Sequence, residues 1–192
     1  MGLKDVNLKA VYYSDEDNLL MDFYIPVLAN SAKYDRIAGY FSSNSLAIAA
    51  KGIAALIESR GKIRMIANVF LSEEDQEAIR RALLEKEKEV LTEIENLEDQ
   101  LKKDHIRMLG WMVKENRLEM KIAVVKTGIE HQKIGILEDS EGNKVSFSGS
   151  ENETARGWLF NDEQFHVLRG VPYDYFGGIV GLSLMCHHMF TL

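Results

Sequence analysis

Residues 131–168 decide the fold of this chain, and their sequence is HQKIGILEDSEGNKVSFSGSENETARGWLFNDEQFHVL. Apolar and polar side chains alternate in three parts of this stretch, and the period of two predicts strands over HQKIGILED, KVSFSG and QFHVL. A polar turn from Ser140 to Asn143 joins the first two strands, which predicts a β-hairpin. A short helix is expected over SENETARGW.

The preceding residues add strands and helices in alternation. Strands are predicted from Tyr34 to Phe41 and from Lys62 to Val69, with a helix between them that ends at Gly61. A further helix is expected from Asp15 to Asn30, and a strand over LEMKIAVV from Leu118. The order strand, helix, strand predicts a βαβ unit with a parallel pair. The predicted fold class is α/β, a mixed β-sheet flanked by helices on both faces in a single domain over 1–192.

A long helical arm or insertion is predicted at about 72–115. Ser72 and Asp75 have the spacing of a capping box, and glycine is absent from there until Gly110. Apolar residues form a stripe with a period near 3.5, namely Leu83, Val90, Ile94, Leu97, Leu101 and Met108. The stripe fits an arm that packs on a partner or folds back on the domain, and it fits an ordinary solvated amphipathic helix equally well.

The charge of the chain is concentrated in this arm. The net charge is −7, but Ser72 to Asp104 carry twelve acids against six bases. The rest of the chain is therefore near neutral, so a basic cleft for a polyanion is not excluded. The lone Cys186 cannot form an intramolecular disulfide, and the first residues lack the apolar core of a secretory signal. A cytoplasmic location is expected.

The C-terminal run from Tyr175 to Leu192 contains no acid, lysine or arginine. Its glycines and paired histidines argue against a membrane helix, so a buried helix or a subunit contact is expected. Cys186, His187 and His188 are adjacent, and adjacent side chains on a helix diverge, so a metal site is not expected there.

Candidate site residues lie just before and just after the predicted hairpin in sequence. His131 and Lys133 are two apart on a predicted strand, so both side chains should project from one face. Ser150 and Asn152 repeat this spacing directly after Gly149, where a backbone can approach a ligand closely. A histidine nucleophile, a cation and two hydrogen-bond donors together suit a phosphate ester.

Other histidines and aromatic residues receive structural interpretations. We expect His105 to be a surface residue of the arm and His166 to pack in the core. Trp158 and Phe160 are expected in the core rather than as a surface that stacks a nucleic-acid base.

The spacing of these residues resembles the signature of the phospholipase D superfamily. The resemblance rests on His131-x-Lys133, on Gly149-Ser150-x-Asn152 and on Glu163, eleven residues beyond Asn152. The upstream segments YDRIAGYFSSNSLAIAAKGIAALI and KIRMIANVFLSEED resemble the variant of this domain found at the start of superfamily 2 helicases and restriction-type proteins. No Walker A sequence is present.

One position departs from that signature. The acid expected five residues after the lysine is Glu138, and Asp139 follows one position late. The residue is usually supporting rather than reactive, so we expect the change to be tolerated.

The resemblance implies a phosphodiesterase with one half of a two-histidine site. His131 would be the nucleophile in one chain and the acid in its partner, which implies a homodimer. Lys133, Ser150 and Asn152 would neutralise and orient the phosphate oxygens, and Glu163 would hold the His131 ring. Neither a metal nor another cofactor is required.

A metal-independent nuclease is the predicted function, with DNA the favoured substrate by analogy with the helicase-linked relatives, and a helicase or restriction system a possible partner. A noncatalytic nucleic-acid-binding or targeting module of such a system is the alternative. A phospholipase or phosphatidyltransferase is disfavoured, because no lysine-rich amphipathic stretch for membrane binding is present.

Overall fold

The computed structural model of the chain describes residues 2–67, 72–84, 96–123, 131–159, 161–170 and 189–191. Within these ranges, none of the helices is both long enough and apolar enough to cross a membrane. The predicted stripe residues Val90 and Ile94 lie outside the described residues, as do Phe160, Cys186 and the two histidines after it.

One eight-stranded mixed sheet organises the described residues. Its strands, in chain order, are β1 (Val11–Tyr13), β2 (Lys33–Ala38), β3 (Lys62–Ala67), β4 (Leu118–Ala123), β5 (Ile134–Glu138), β6 (Lys144–Gly149), β7 (Gln164–Arg169) and β8 (Met189–Thr191). Their spatial order is β1-β7-β6-β5-β2-β3-β4-β8. Strands β2, β3 and β4 are parallel neighbours, and every other pair is antiparallel.

The helices flank this sheet. They are α1 (Ile25–Ala29), α2 (Asn44–Ile48), α3 (Ala50–Glu58), α4 (Glu73–Leu84), α5 (Leu97–Lys103), α6 (His105–Lys114) and α7 (Ala155–Leu159). A 3-10 turn, Leu3–Asp5, and a π-helical turn, Leu20–Tyr24, complete the described elements. The predicted α/β class, a mixed sheet with helices on both faces, is confirmed.

The βαβ unit and the hairpin both form as predicted. Strands β2 and β3 pair in parallel, with Lys33 opposite Lys62, and helices α2 and α3 make the crossover between them. Strands β5 and β6 form the antiparallel hairpin, with Leu137 opposite Val145. Local periodicity was sufficient here, because each segment carries its own apolar pattern.

The first helix is shorter than the predicted Asp15 to Asn30. It begins as the π-helical turn Leu20–Tyr24 and continues as α1. Pro26 lies in the first turn of α1, where a missing N–H is tolerated, but the same proline cannot continue a regular helix from upstream. The side chain of Asn18 accepts a hydrogen bond from the backbone N–H of Met21 at 3.0 Å and so caps the start.

The described helices of the predicted arm, α4, α5 and α6, pack on the domain. Helix α4 packs along α6, and α3 packs along α5. The stripe residues Leu97, Leu101 and Met108 are buried. The Ser72 hydroxyl accepts a hydrogen bond from the backbone N–H of Asp75 at 3.1 Å, as the predicted cap requires. These three stripe residues are therefore part of the core.

The last described residues form a strand, whereas a buried helix or a subunit contact was expected for the C-terminal run. Met189–Thr191 form β8, which pairs antiparallel with β4. An exposed edge of β4 would leave backbone N–H and C=O groups unpaired, and β8 satisfies them.

Candidate active site

Four strand ends meet at one edge of the sheet, and the predicted site residues lie there. Strand β2 ends at this edge and β5 begins there, since Ile37 pairs with Ile134. Strand β6 ends at the same edge, with Gly149 opposite Phe165 near the start of β7. The edge therefore gathers the segments 38–42, 131–133, 149–153 and 161–163, which are far apart in sequence.

His131 and Lys133 lie just before β5 rather than on it, contrary to the strand predicted over HQKIGILED. The backbone N–H of Gly149 still donates to the carbonyl oxygen of Lys133 at 3.3 Å, but the N–H of Ser150 turns to Gln164 on β7. Because β6 no longer pairs with the segment before β5 at this point, residues 131 and 132 are not part of a strand.

The two side chains of this segment differ in exposure. The His131 ring is exposed, whereas Lys133 is only 5% exposed. The Lys133 ammonium donates to the carbonyl oxygen of His131 at 2.8 Å. A buried ammonium group needs such acceptors close by, and this contact places the cation beside the backbone of the histidine.

Ser150 and Glu163 are joined by a direct hydrogen bond between the hydroxyl and the carboxylate. The other carboxylate oxygen of Glu163 accepts from the side-chain amide of Asn161 at 3.0 Å. Gly149 allows β6 to lie close enough to β7 for the contact between Ser150 and Glu163. A Cβ atom at position 149 would overlap the carbonyl oxygen of Gln164 on β7. The glycine thus allows β6 to approach β7, in addition to any approach to a ligand.

Asn152 is oriented by the neighbouring strand end. Its Oδ1 accepts a hydrogen bond from the backbone N–H of Tyr40 at 3.0 Å. A backbone N–H must meet an oxygen, so the NH₂ group of the amide points away from Tyr40. The half-buried Asn152 therefore presents hydrogen-bond donors on its remaining side.

The five predicted residues are gathered at one edge, but one predicted contact is not made. Among the described residues, the carboxylate of Glu163 bonds to Ser150 and Asn161 and makes no hydrogen bond to His131. The role of Glu163 in holding the His131 ring therefore stays a prediction.

Comparisons with solved structures identify the architecture, although no protein-family model and no curated protein sequence matches the chain. The structure resembles NucT from Helicobacter pylori with a TM-score of 0.57 and 11% sequence identity, over 95% of this chain and 97% of NucT. It resembles Nuc from Salmonella typhimurium, described as a phospholipase D family member, with a TM-score of 0.50 and 13% identity, over 95% and 97% of the two chains. The chain has the phospholipase D fold.

A phosphatidylserine synthase from Haemophilus influenzae Rd KW20 shares this phospholipase D fold as well. The TM-score is 0.51 at 12% identity, and the match covers 86% of this chain but only 35% of the synthase. The predicted family resemblance is thus supported by structure over nearly the whole chain, at an identity that establishes the fold alone.

Sequence analysis missed a buried charged cluster beneath the site of this phospholipase D fold. Arg36 on β2 and Glu151 and Glu153 after β6 are all buried, and the hydroxyls of Tyr24 and Tyr34 contact the two carboxylates. Burial away from water raises the pKa of Glu151 to about 7, although the charge of Arg36 opposes that shift. The signal that could have revealed it is the alternation in SENE, where two acids occupy the inward positions of an extended segment.

The two acids at the altered part of the signature, Glu138 and Asp139, lie at the turn of the hairpin. Asp139 is buried and accepts hydrogen bonds from the backbone N–H of Leu3 at 2.8 Å and from that of Asn143 at 2.9 Å. Glu138 forms an ion pair with Lys144 at 3.5 Å. Both acids lie at the far end of the hairpin from His131, and their supporting role stays a prediction.

The interpretation of His166 as a core residue was wrong, and one aromatic interpretation is confirmed. His166 is exposed, because Phe165 and Val167 take the inward positions of β7. His105 is half-buried, and its Nδ1 hydrogen-bonds the Ser43 hydroxyl at 2.8 Å. Trp158 is buried in the core as expected.

In the ranges that the structure describes, histidine, cysteine and acidic side chains form no group of three or more suited to a metal ion.

Proposed function

We propose that the chain is a phosphodiesterase of the phospholipase D type, acting as a metal-independent nuclease through a phosphohistidine intermediate. The observation that carries the proposal is the gathering of both halves of the signature at one edge of the sheet. His131 and Lys133 precede β5, Ser150 and Asn152 follow β6, and Glu163 is bonded to Ser150.

Two displacements at phosphorus make up the proposed reaction. In the first, an imidazole nitrogen of His131 forms a bond to phosphorus while the bond to the leaving oxygen breaks. That oxygen takes a proton from a second histidine. In the second, water attacks phosphorus and gives its proton back to the second histidine. The N–P bond then breaks and releases a phosphate monoester.

The remaining residues stabilise charge on the phosphoryl oxygens, where phosphoryl transfer concentrates it. The Lys133 ammonium contacts the backbone carbonyl of His131 and supplies positive charge. The NH₂ group of Asn152 is turned away from Tyr40 and supplies donors. Ser150 is fixed by Glu163, which gives the glutamate a positioning role that does not require contact with His131.

The second histidine is proposed to be His131 of another copy of this chain. No second His-x-Lys occurs in the sequence. A two-fold contact is isologous, so it would bring each His131 opposite its mate and complete two-histidine chemistry. The exposed position of His131 supports this arrangement, because a second chain can reach it.

Nucleic acid is the proposed substrate class, with DNA favoured. Tyr40 supports this choice, since its side chain is 40% exposed and its backbone is bonded to Asn152 at the site. An aromatic ring beside a phosphate-binding amide can stack on a nucleic-acid base, a group that a phospholipid lacks. The helicase or restriction-system partner and the cytoplasmic location remain predictions.

The test is hydrolysis in EDTA. Purified protein is incubated with bis(p-nitrophenyl) phosphate and with labelled single-stranded and double-stranded DNA and RNA, beside His131→Ala. His166→Ala is the matched control, because it removes another exposed histidine that lacks the companion lysine. We expect cleavage by the wild type and by His166→Ala, and none by His131→Ala.

Two results would contradict the proposal. Activity that disappears in EDTA and returns with Mg²⁺ or Zn²⁺ would replace the phosphohistidine route by metal-assisted hydrolysis. A wild-type protein that binds nucleic acid but cleaves none of the phosphodiesters would favour the noncatalytic binding module.

A further inference from the structure

The segment that carries the substrate-binding residues has two faces. Ser150 is exposed and Asn152 half-exposed, whereas Glu151 and Glu153 are buried at 0% and 3% exposure. Successive side chains of an extended chain point to opposite sides, so the two glutamates point inward wherever the serine and the asparagine point outward. The inward contacts therefore fix the rotation of the segment about its own axis.

A single cation touches both inward-facing residues. Arg36 is fully buried on β2. Its Nε donates to a carboxylate oxygen of Glu153 at 2.9 Å, and its Nη2 donates to the backbone carbonyl of Glu151 at 2.7 Å. Its Nη1 lies 3.7 Å from the Glu151 carboxylate, and its guanidinium stacks on the Phe147 ring at 4.9 Å. A planar guanidinium presents its donors in a fixed fork, which suits it to hold two groups at once.

Two tyrosine hydroxyls complete the cluster. Tyr24 donates to the Glu151 carboxylate at 3.4 Å, and Tyr34 donates to the Glu153 carboxylate at 3.1 Å. Tyr34 and Arg36 are two apart on β2, so both reach the same face of the sheet. The positive charge of Arg36 and the hydroxyl of Tyr34 thus converge on one glutamate.

The main chain ties the same segment to the end of β2. The backbone N–H of Glu153 donates to the carbonyl of Tyr40 at 3.2 Å, and the N–H of Ser42 donates to the carbonyl of Glu153 at 3.1 Å. Together with the Tyr40 bond to Asn152, these contacts bracket the amide that is proposed to bind phosphate.

Stability alone is a weak explanation for this cluster. Desolvating buried ions costs free energy that their mutual attraction only partly restores, and apolar residues of similar size often serve a core as well. In addition, Nη1 of Arg36 and Oε2 of Glu151 are buried without a hydrogen-bond partner among the described residues. A buried ionic group can instead specify one conformation.

We propose that Arg36, Glu151 and Glu153 form a positioning clamp that holds the segment after β6 so that the NH₂ group of Asn152 faces the substrate phosphate. The clamp residues do not touch the substrate and act only through the segment that they hold. This inference rests on the proposed function of Asn152 as a phosphate-binding residue.

Arg36→Lys tests the clamp, because lysine keeps the charge but replaces the fork by a single point of contact. With bis(p-nitrophenyl) phosphate we expect KM to rise by about tenfold or more, which corresponds to the loss of one well-placed contact. The same substitution should be nearly silent in an Asn152→Ala background, since two changes that act through one contact are not additive.

The matched control is Arg64→Lys. Arg64 on β3 donates to Asp35 at 2.6 Å, and Asp35 lies between Tyr34 and Arg36 on β2 but points to the opposite face of the sheet. The Arg64→Lys substitution therefore alters a neighbouring ion pair on the same strand β2 without touching the clamp. KM should stay within about twofold of the wild type, whatever the change in thermal stability.

Hydrogen exchange supplies a readout that does not depend on activity. The backbone amides of residues 150–153 should exchange faster in Arg36→Lys than in Arg64→Lys, because the clamp no longer limits local opening. If Arg36→Lys does not fold, Tyr34→Phe removes only the hydroxyl bonded to Glu153 and should change KM and exchange in the same direction by a smaller amount.

The outcomes separate the two proposals. A wild-type protein inactive on every phosphodiester would refute the proposed function, and the exchange comparison would still decide whether the clamp exists. An active wild type in which Arg36→Lys leaves both KM and exchange unchanged would refute the clamp alone. Equal losses for Arg36→Lys in the wild-type and Asn152→Ala backgrounds would show a general structural role and refute positioning.

Discussion

The backbone N–H of Tyr40 donates to Oδ1 of Asn152 at 3.0 Å, which joins the end of β2 to the segment after β6. Because this donor occupies the oxygen of the amide, the NH₂ group is directed to the other side. The contact couples the proposed phosphate-binding side chain to a strand end that is more than one hundred residues away in sequence.

Asn152→Asp should abolish phosphate binding and leave the fold intact. The carboxylate can still accept from the N–H of Tyr40, but its second oxygen replaces a donor by a negative charge. Loss of one donor to a developing oxyanion typically costs roughly 10²- to 10³-fold in rate. We expect a fall in kcat/KM of at least that size with an almost unchanged unfolding temperature. Activity close to the wild type would show that Asn152 does not contact phosphate.

Tyr40→Ala should impair the cleavage of nucleic acid selectively. Stacking on one base contributes about 1–3 kcal/mol, so KM for single-stranded DNA should rise by about fivefold or more, while hydrolysis of bis(p-nitrophenyl) phosphate should change little. Tyr40→Phe keeps the ring and should behave like the wild type. Leu168→Ala, which removes an equally exposed apolar side chain from the far end of β7, is the control. Equal effects on both substrates would exclude stacking.

His131→Ala should be inactive, and Glu163→Gln should be slowed less severely. His131 is exposed, so its removal leaves no cavity in the core and should not lower the unfolding temperature appreciably. A glutamine at 163 retains an oxygen that can accept from the Ser150 hydroxyl or from Asn161. Steady-state kinetics and thermal unfolding of both variants are the measurements. A strongly destabilised His131→Ala protein would indicate a structural role for that histidine.

Subunit mixing tests the shared site. Light scattering should give about twice the chain mass of 21.8 kDa. If His131→Ala and the wild type are coexpressed at equal levels, random pairing leaves about one quarter of the dimers with two intact histidines. Activity should therefore fall to about one quarter of that of the same total amount of wild type. A fall to only one half would mean that each chain works alone.

Glu151→Gln should flatten the dependence of stability on pH. Burial raises the pKa of Glu151 from 4.5 to about 7, while Arg36 opposes the shift and Glu163 and Glu153 add to it. The hydroxyl of Tyr24 also faces this carboxylate. The folded state thus holds a proton that the unfolded chain releases between these two pH values. The stabilisation is present below pH 4.5 and is lost as the pH rises to about 7.

Denaturant unfolding at pH 5 and pH 8 measures this effect. Each pKa unit corresponds to about 1.4 kcal/mol, so Glu151 should account for up to about 3 kcal/mol of the stability that the wild type loses. The glutamine of Glu151→Gln carries no charge in the folded or the unfolded state. This variant should therefore lose less stability than the wild type between pH 5 and pH 8. Glu58→Gln, at an exposed position of α3, is the control, and its free energy of unfolding should change with pH as that of the wild type does. Parallel pH profiles for Glu151→Gln and the wild type would contradict the assignment.

Local sequence patterns determined most of the central strands and helices of this protein and most of the candidate site. The period of two over KVSFSG and QFHVL predicted strands, because the alternation of apolar and polar side chains is visible in each segment without reference to a distant partner. The spacing of His131, Lys133, Ser150, Asn152 and Glu163 identified the site, since those residues surround a single hairpin and the strand beside it.

Tertiary structure alone decided what those side chains contact. Nothing near Glu163 in sequence shows that it bonds Ser150 rather than His131, because the choice depends on where β6 leaves the hairpin. Likewise, Arg36 has the polar character of a surface residue, and its burial against Glu153 joins positions 117 residues apart. Local periodicity reports which side of an element faces the core. A buried charge, however, is stable only when a distant partner meets it, and that meeting exists only in the folded chain.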